Sequence, residues 1–269
     1  SGHCIKQKTS IHISIMQRLL LGDAAHQMPP FGGQGLCSGI RDAHNLCWKL
    51  YQVLEGYSSD SLFDTYGQER KPHVQEMMQR AIRFGAIAQT QNPIIARLRN
   101  FVFRVLHLIP IVSKKLKDVR VPLPPIKTGI LANTIDPSQS TAGQLFVQAE
   151  IATSIREKIP LDDILGHHFA IVSFNQNLTS LISDEAEAFW NNRNTQFVNV
   201  ISAHCAELET TNSTTTSGKI TVVDIHDQLR IWFSQQRGNV AIIRPDRYVY
   251  GVYRPEEMEA ATVKLHTFL

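Results

Sequence analysis

Residues 18–50 read RLLLGDAAHQMPPFGGQGLCSGIRDAHNLCWKL, and this stretch decides how the first half of the chain is interpreted. The short apolar run at 18–21 ends at Gly22-Asp23, which is typical of a buried strand that delivers a carboxylate to the edge of a sheet. Two prolines and a glycine cluster follow. The apolar residues then recur at helical spacing, so we expect a helix that ends near Gly56. The stretch therefore predicts a strand, a turn and a helix in succession.

The turn between the predicted strand and helix has the chemistry of a cofactor site. Gly32, Gly33 and Gly35 carry no Cβ, so their backbone can approach a flat ligand closely. We expect the helix to begin around Leu36, where its free N–H groups and positive dipole end point into the turn and favour negative charge. The carboxylate of Asp23 can accept hydrogen bonds from a sugar or polyol hydroxyl. These features predict a site for an anion or for negative charge developing on a ring.

The segment GQGLCS, residues 33–38, nearly matches the dinucleotide-binding fingerprint G-x-G-x-x-G, with serine as its third member. That fingerprint follows a strand directly, whereas residues 28–31 intervene here. The acid that lies twenty residues after Gly35 is Glu55, and it is placed at the end of a helix instead of a second strand. We therefore reject a nicotinamide dehydrogenase site at this turn.

Several segments together resemble the second flavin motif of the single-component FAD-dependent aromatic hydroxylases, of the phenol hydroxylase and 3-(3-hydroxyphenyl)propionate hydroxylase type. The segments are GDAAH (22–26), PP (29–30), GQG (33–35), DAHNL (42–46) and TYGQERKPH (65–73). Further along, GQLFVQ, LDDILGHHFAIVSF and AIIRPDRYVYGVYR resemble the thioredoxin-like C-terminal domain of the same group. The resemblance is strongest over residues 18–75.

The resemblance implies a role for each matching position of the turn. Asp23 would hydrogen-bond the ribityl chain of FAD, and Pro30 would lie beside the reactive edge of the isoalloxazine. The amides at the start of the helix would face the N1–C2=O edge, where reduced flavin carries negative charge that fixed N–H dipoles stabilise. The predicted cofactor-binding residues are Asp23, Pro30, Gly33, Gly35, Leu36 and Cys37.

The resemblance also implies the reaction. NAD(P)H reduces FAD, oxygen forms the flavin C4a-hydroperoxide, and an activated phenolic substrate attacks it. Because the cofactor supplies this chemistry, the protein needs no acid–base dyad or nucleophilic triad, and none is predicted. The choice between NADH and NADPH, and the identity of the phenol, are left open.

The organisation of the chain points to an α/β (α+β) fold in two parts. Helical patterns cover 62–90, divided at Pro72, and 93–109; a proline-rich segment, 119–129, reads as a linker. Beyond it the apolar period changes to two, with strands expected at 168–174, 196–202, 219–225 and a hairpin over 239–253 that turns at Pro245-Asp246. Helices are expected at 183–192, 227–236 and 255–265. The predicted domains are 1–135, the C-terminal part of a flavin-binding monooxygenase domain with its helices, and 136–269, a thioredoxin-like domain.

Composition excludes several classes of function. Basic residues concentrate in 1–135 and acidic residues in the rest, but no basic stripe with interleaved aromatics suggests nucleic acid. No apolar run reaches a membrane span, and no signal peptide is recognised, so a cytoplasmic protein is expected. The cysteines (4, 37, 47 and 205) form no C-x-x-C pair, which argues against a metal site or dithiol chemistry.

Alternatives stay open for some residues and for the whole chain. His26 is interpreted as a structural hydrogen-bonding residue in preference to a catalytic base. Arg41 and Asp42 are interpreted as an ion pair or as residues that support the site from behind. His167 and His168 are interpreted as a loop pair and not as metal ligands. The first G-x-G-x-x-G unit and substrate-binding sheet of the family are not found ahead of residue 18, so we expect a C-terminal portion that binds FAD weakly alone. The alternative function is a non-catalytic dimerisation or interaction module, whose expected partner is a second copy of the chain in a homodimer.

Overall fold

The computed structural model of the protein describes most of the chain, with gaps. The described residues are 14–15, 18–31, 33–109, 123–132, 141–153, 158–175, 182–203 and 219–269. Gly32, Pro122, Cys4 and Cys205 lie outside these ranges. By its internal contacts the chain divides into two compact units: unit 1 comprises Ser1–Ile40 and Lys71–Pro124, and unit 2 comprises Arg41–Arg70 and Pro125–Leu269. A domain boundary at residue 135 stays a prediction.

Three long helices dominate the first half of the chain. Helix α1 spans Gln34–Leu54, α2 spans Leu62–Ala88, and α3 spans Pro93–Leu108. Gly56 follows α1 with φ +73°, which confirms the predicted stop signal. Asn92 caps α3, since its Oδ1 accepts a hydrogen bond from the Ile94 N–H at 2.9 Å. Among the described residues, no helix combines the length and the apolar character that crossing a membrane requires.

The predicted division of the second helix at Pro72 is wrong, because α2 continues through it. Proline lacks an N–H, so the carbonyl four residues earlier, that of Gln68, loses its helical partner. The hydroxyl of Thr128 donates to this carbonyl at 2.7 Å and replaces the missing donor. A side chain sixty residues away thus supports the helix at its proline.

The strand predicted at 18–21 is shorter than expected. Strand β2, Arg18–Leu19, pairs in antiparallel fashion with β1, Ser14–Ile15. A 3₁₀-helix over Gly22–Ala24 follows. The strand therefore ends before the glycine, and the apolar run continues past it into the turn.

Unit 2 contains a seven-stranded mixed sheet in the order β4-β3-β7-β6-β5-β8-β9. Strand β5 pairs in parallel with β6, and β6 with β7, while the remaining pairs are antiparallel. The predicted strands are confirmed; β3 and β4, three residues each, are too short to show a period and were not predicted. The strands are β3 Glu150–Ala152, β4 Lys158–Pro160, β5 Ala170–Phe174, β6 Gln196–Ser202, β7 Lys219–Asp224, β8 Val240–Ile243 and β9 Val249–Tyr253.

Shorter helices and part of the long helices cover both faces of this sheet. Along β5, Ala170 and Val172 belong to one apolar cluster and Ile171 to the other, as alternation across a strand requires. The second cluster also takes in Trp48 from α1 and Leu62 from α2. The mixed α and β fold class is thus confirmed. The shorter helices are α4 Leu161–Leu165, α5 Asp184–Asn191, α6 Gln228–Ser234 and α7 Met258–His266.

We predict that Thr128→Val destabilises the protein by about 1 kcal/mol, because the Gln68 carbonyl then loses its donor. In a Pro72→Ala background the new backbone N–H can donate to the same carbonyl, so the cost of Thr128→Val should fall to less than half. Urea unfolding of the four proteins of this double-mutant cycle measures the coupling. Equal costs of Thr128→Val in both backgrounds would contradict the explanation.

Candidate functional site

The turn after β2 presents Asp23 to solvent. The Gly22 carbonyl accepts hydrogen bonds from the N–H groups of Ala25 at 2.9 Å and His26 at 3.0 Å, which closes the turn. Gly22 has φ +58°, a conformation that favours glycine. Asp23 is exposed, whereas Ala25 and His26 are buried beneath it. The burial of His26 fits a structural role.

The turn packs closely against the beginning of α1. A Cβ added at Gly39 would lie 3.3 Å from the Cα of Gly22, so any larger residue would push the two backbones apart. Gly35 approaches the turn less closely, since an added Cβ would lie 3.7 Å from the Cβ of Met28. Gly39 lies between the GQG and DAHNL segments of the flavin-like motif, and the sequence analysis gave it no role. The contact fixes the distance between Asp23's turn and the first turns of the helix.

The proline pair lies in a loop that is anchored to α2. The ring of Phe31 occupies the space above Gly85, where an added Cβ would clash with the ring. Pro29 is buried and Pro30 is exposed. The loop is therefore held on one side, and Pro30 is available on the other.

The N-terminus of α1 completes this surface. Gly33 has φ +66° and open space around its Cα, and its carbonyl accepts the N–H of Cys37 at 3.4 Å. Leu36 and Cys37 are exposed, and Gly35 is half-buried. The first N–H groups of an α-helix have no carbonyl four residues earlier within the helix, so they can serve a ligand. The two segments that hold all the predicted cofactor-binding residues meet through the contact between Gly22 and Gly39.

Further along α1, Asp42 forms a buried ion pair with a residue of α2. Asp42 accepts a hydrogen bond from Arg70 Nε at 2.8 Å, and both side chains are fully buried. Of the histidine pair, His167 is exposed and the ring of His168 lies 5.7 Å from that of Tyr51. Within the described ranges, no group of side chains has the makeup of a metal site.

Unit 2 contains a buried cluster of charges that sequence reasoning did not find. Glu69 on α2 accepts hydrogen bonds from Asn45 Nδ2 at 2.7 Å and Lys49 Nζ at 2.9 Å, both on α1. Arg244, at the end of β8, reaches both oxygens of Glu69, at 2.9 Å and 2.7 Å. Arg244 also binds both oxygens of Asp246, at 3.0 Å and 2.7 Å. We call these five residues the charge cluster.

The charge cluster balances two carboxylates with two cations inside the protein. Asn45 bridges the carboxylates, since its Nδ2 also donates to Asp246 at 2.7 Å. The N–H of Ile130 donates to Glu69, and its carbonyl accepts from Arg244, each at 2.9 Å. Buried charges are tolerated when they are paired, and each charge of the cluster has an oppositely charged partner within 3 Å.

The protonation states of the cluster follow from burial and charge. Burial alone would raise the pKa of Glu69, but Arg244 and Lys49 lower it to about 2. Burial lowers the pKa of Lys49 to about 8, against the attraction of Glu69. Burial also acts to lower the pKa of Arg244, yet Asp246 and Glu69 together raise it above its usual range. Glu69 is therefore ionised at neutral pH.

Two regions of the chain match models of protein families. Residues 12–81 match the FAD binding domain, and residues 143–268 match the HcaD C-terminal domain. The first region includes the turn and α1, and the second includes the seven-stranded sheet. The charge cluster joins residues from both regions within unit 2.

Curated proteins match most of the chain, including both of these regions. The chain is 32% identical over 248 residues to the 3-(3-hydroxy-phenyl)propionate/3-hydroxycinnamic acid hydroxylase of Escherichia coli O157:H7 (strain EC4115 / EHEC), which is 92% of this chain and 44% of that protein. The protein of the same name from Escherichia coli (strain SMS-3-5 / SECEC) gives the same figures. This chain is related to the FAD-dependent aromatic hydroxylases. It spans less than half the length of these relatives.

Several solved structures share the fold of this chain. The flavin-dependent monooxygenase PieE, in complex with FAD and substrate, superimposes with a TM-score of 0.66 at 18% identity, covering 96% of this chain and 48% of PieE. The OxyS anhydrotetracycline hydroxylase from Streptomyces rimosus gives 0.58 at 22% identity, covering 91% and 42%. The predicted resemblance to the FAD-dependent aromatic hydroxylases is thus confirmed, whereas the thioredoxin-like character of residues 136–269 stays a prediction.

We predict that Glu69→Gln lowers the free energy of unfolding at pH 7 by roughly 3 kcal/mol, because it removes the charge that compensates buried Arg244 and Lys49. Since the folded state lowers the pKa of Glu69, its contribution is present above about pH 4.5 and is lost as the pH falls toward 2. The difference between wild type and variant should therefore shrink over that interval. Urea unfolding at several pH values measures it.

The matched control is Glu76→Gln, on the same helix. Glu76 pairs with Arg80 at 2.8 Å, but both side chains are about one-third exposed, so the loss should be under about 1 kcal/mol. Equal losses for Glu69→Gln and Glu76→Gln would show that the charge cluster does not stabilise the fold.

Proposed function

We propose that this chain forms the ribityl and ring-edge part of an FAD site in a monooxygenase that hydroxylates a phenolic substrate with NAD(P)H. The observation that carries the proposal is the exposed surface made by Asp23, Pro30 and the N-terminus of α1. Its sequence lies within the region that matches an FAD binding domain. The names of the curated relatives support a phenolic acid as the class of substrate.

The geometry of this surface fits a flavin. Asp23 is an exposed carboxylate that can accept hydrogen bonds from ribityl hydroxyls. Open space at Gly33 allows a planar ring to approach the backbone without meeting a side chain. The first amides of α1, around Gly35 and Leu36, can donate to a ring edge that becomes negative on reduction, and the positive end of the helix at Cys37 adds to this effect. The first turn of α1 carries no acidic residue that would oppose this charge.

In this proposal each part of the turn has a distinct task. FAD, once reduced by NAD(P)H, supplies the oxygen-activating chemistry. The chain's own residues bind and orient it: Asp23 holds the polyol, and Pro30 shapes the space beside the reactive ring edge. The close contact of Gly22 with Gly39 keeps the carboxylate and the helix amides at a fixed separation.

We expect the 269-residue chain alone to bind FAD weakly and to be inactive. Asp23, Pro30, Gly33, Leu36 and Cys37 are all exposed, so the described residues form one wall of a site. Cofactor sites that bind tightly usually enclose most of the ligand surface. A strongly yellow, stoichiometric flavin complex of this chain alone would contradict this expectation.

The proposal predicts that Asp23→Ala weakens FAD binding at least tenfold in a chimera in which this chain replaces the matching part of the Escherichia coli hydroxylase. Loss of a charge-assisted hydrogen bond to the polyol accounts for a change of this size. Flavin fluorescence titration gives the dissociation constant, and circular dichroism confirms folding.

The control is Asp64→Ala, which removes another exposed acid, at the first turn of α2. It should leave FAD affinity within twofold of the parent chimera. If Asp23→Ala has no larger effect than Asp64→Ala, the assignment of the turn to the ribityl chain is wrong. A second check is Gly33→Val, which should also weaken binding because a side chain enters the space above the turn and strains the backbone.

A further inference from the structure

Helix α3 presents an apolar face that the described residues leave uncovered. None of its residues is buried. Ile94, Leu98, Phe101, Val105 and Leu108 recur at intervals of three or four and therefore share one side of the helix. Ile94 is 74%, Phe101 64% and Leu108 79% exposed. We call these five residues the α3 face.

The edge of this apolar face is basic. Arg97 and Arg104 lie there, since they precede Phe101 and Leu108 by four positions, and the sequence has no aspartate or glutamate between Glu76 and Asp118. Helix α3 thus combines an apolar face with a positively charged edge. Such a helix is built to be covered by another surface on its apolar side.

The attachment of α3 within unit 1 uses a different edge of the helix. Arg99 Nη1 donates to the carbonyls of Ile87 at 2.7 Å and Ala88 at 2.9 Å, the last residues of α2. These bonds satisfy the end of α2 and place α3 beside it. Ile87 is itself exposed, so the end of α2 also presents an apolar side chain beside α3.

Exposed apolar side chains concentrate in unit 1. Among the described residues, fifteen of the twenty large exposed hydrophobic side chains belong to unit 1, although unit 2 contains the larger share of the described chain. Single exposed apolar residues are ordinary, but a contiguous set marks an interaction surface. Unit 2 has both of the larger apolar clusters, so this concentration is a property of unit 1.

We propose that the α3 face binds the part of a flavin-binding fold that the curated relatives carry and that this chain does not span, on the same polypeptide or on a separate one. This rests on the proposed function. The relatives are more than twice as long as the matched region, and half of PieE has no counterpart here. The α3 face belongs to the same unit as the proposed flavin turn, whose Leu36 is also exposed.

Charge favours this partner over a second copy of the chain. A symmetric dimer through α3 would bring two sets of arginines together without any acid in this stretch to compensate them. A different polypeptide surface can supply the missing acids around an apolar centre. An anionic lipid surface offers negative charge as well. The experiment must therefore distinguish binding to lipid from binding to a polypeptide.

The test is coexpression of this chain with a tagged fragment of the Escherichia coli hydroxylase, the part that the match does not cover. The two should copurify at 1:1, and the FAD content of the complex is read from its absorbance. Leu98→Glu, or Phe101→Glu as a second variant, should reduce recovery of the chain at least tenfold, because a charge enters the apolar contact. The control is Val263→Glu, a residue of α7 in unit 2 that is 61% exposed, which should leave recovery unchanged.

The outcomes separate the rival occupants. No copurification of the wild type, or equal recovery with Leu98→Glu and Val263→Glu, overturns the proposal. A stable dimer of the chain alone that Leu98→Glu dissociates, measured by light scattering, assigns the face to a second copy and overturns it. Sedimentation of the chain with phosphatidylglycerol vesicles that is lost in Leu98→Glu assigns the face to a lipid surface and also overturns the proposal. A complex that depends on Leu98 but contains no FAD supports the interface and contradicts the proposed flavin function instead.

Discussion

The carboxylate of Glu69 is the group on which unit 2 depends. It lies fully buried between two cations, and it receives donors from α1, from the segment around Ile130 and from the end of β8. No single element could satisfy it, since each supplies only some of its hydrogen bonds. The parts of α1 and α2 that belong to unit 2 and the sheet of this unit are therefore held by the same charges. A buried, ionised Glu69 requires the donors from each of these elements to be in place.

The surface proposed for flavin and the charge cluster use the same helix in different ways. At its N-terminus α1 offers the positive end of its dipole, exposed side chains and a close glycine contact, which suit a ligand site. Near its middle it inserts Asp42, Asn45 and Lys49 into the interior, where every charge is paired. Residues 35–50 of α1 thus combine glycines that allow close approach of the backbone with polar residues that fix the interior. Unit 1, with its α3 face, adds a surface that is apolar without being buried.

Periodic elements could be predicted from the sequence because burial repeats along them. The helix from Gln34, the proline start of α3 and the hairpin around Pro245 all followed from local signals. Pro72 was misjudged because the donor that rescues the helix, Thr128, is distant in sequence. The charge cluster was missed for the same reason: Glu69 and Arg244 are 175 residues apart, and each alone looks like a surface charge. The flavin residues were named from motif resemblance, since spacing alone indicates a ligand but not its identity.

The most direct test of the flavin assignment is a titration of FAD into the isotope-labelled 269-residue chain, followed by amide chemical shifts in nuclear magnetic resonance. Weak binding is sufficient for this measurement. The account predicts that the largest shifts occur at Asp23, Gly33, Leu36 and Cys37, with little change among the strands of unit 2. Shifts confined to the C-terminal sheet, or none at millimolar FAD, would contradict it.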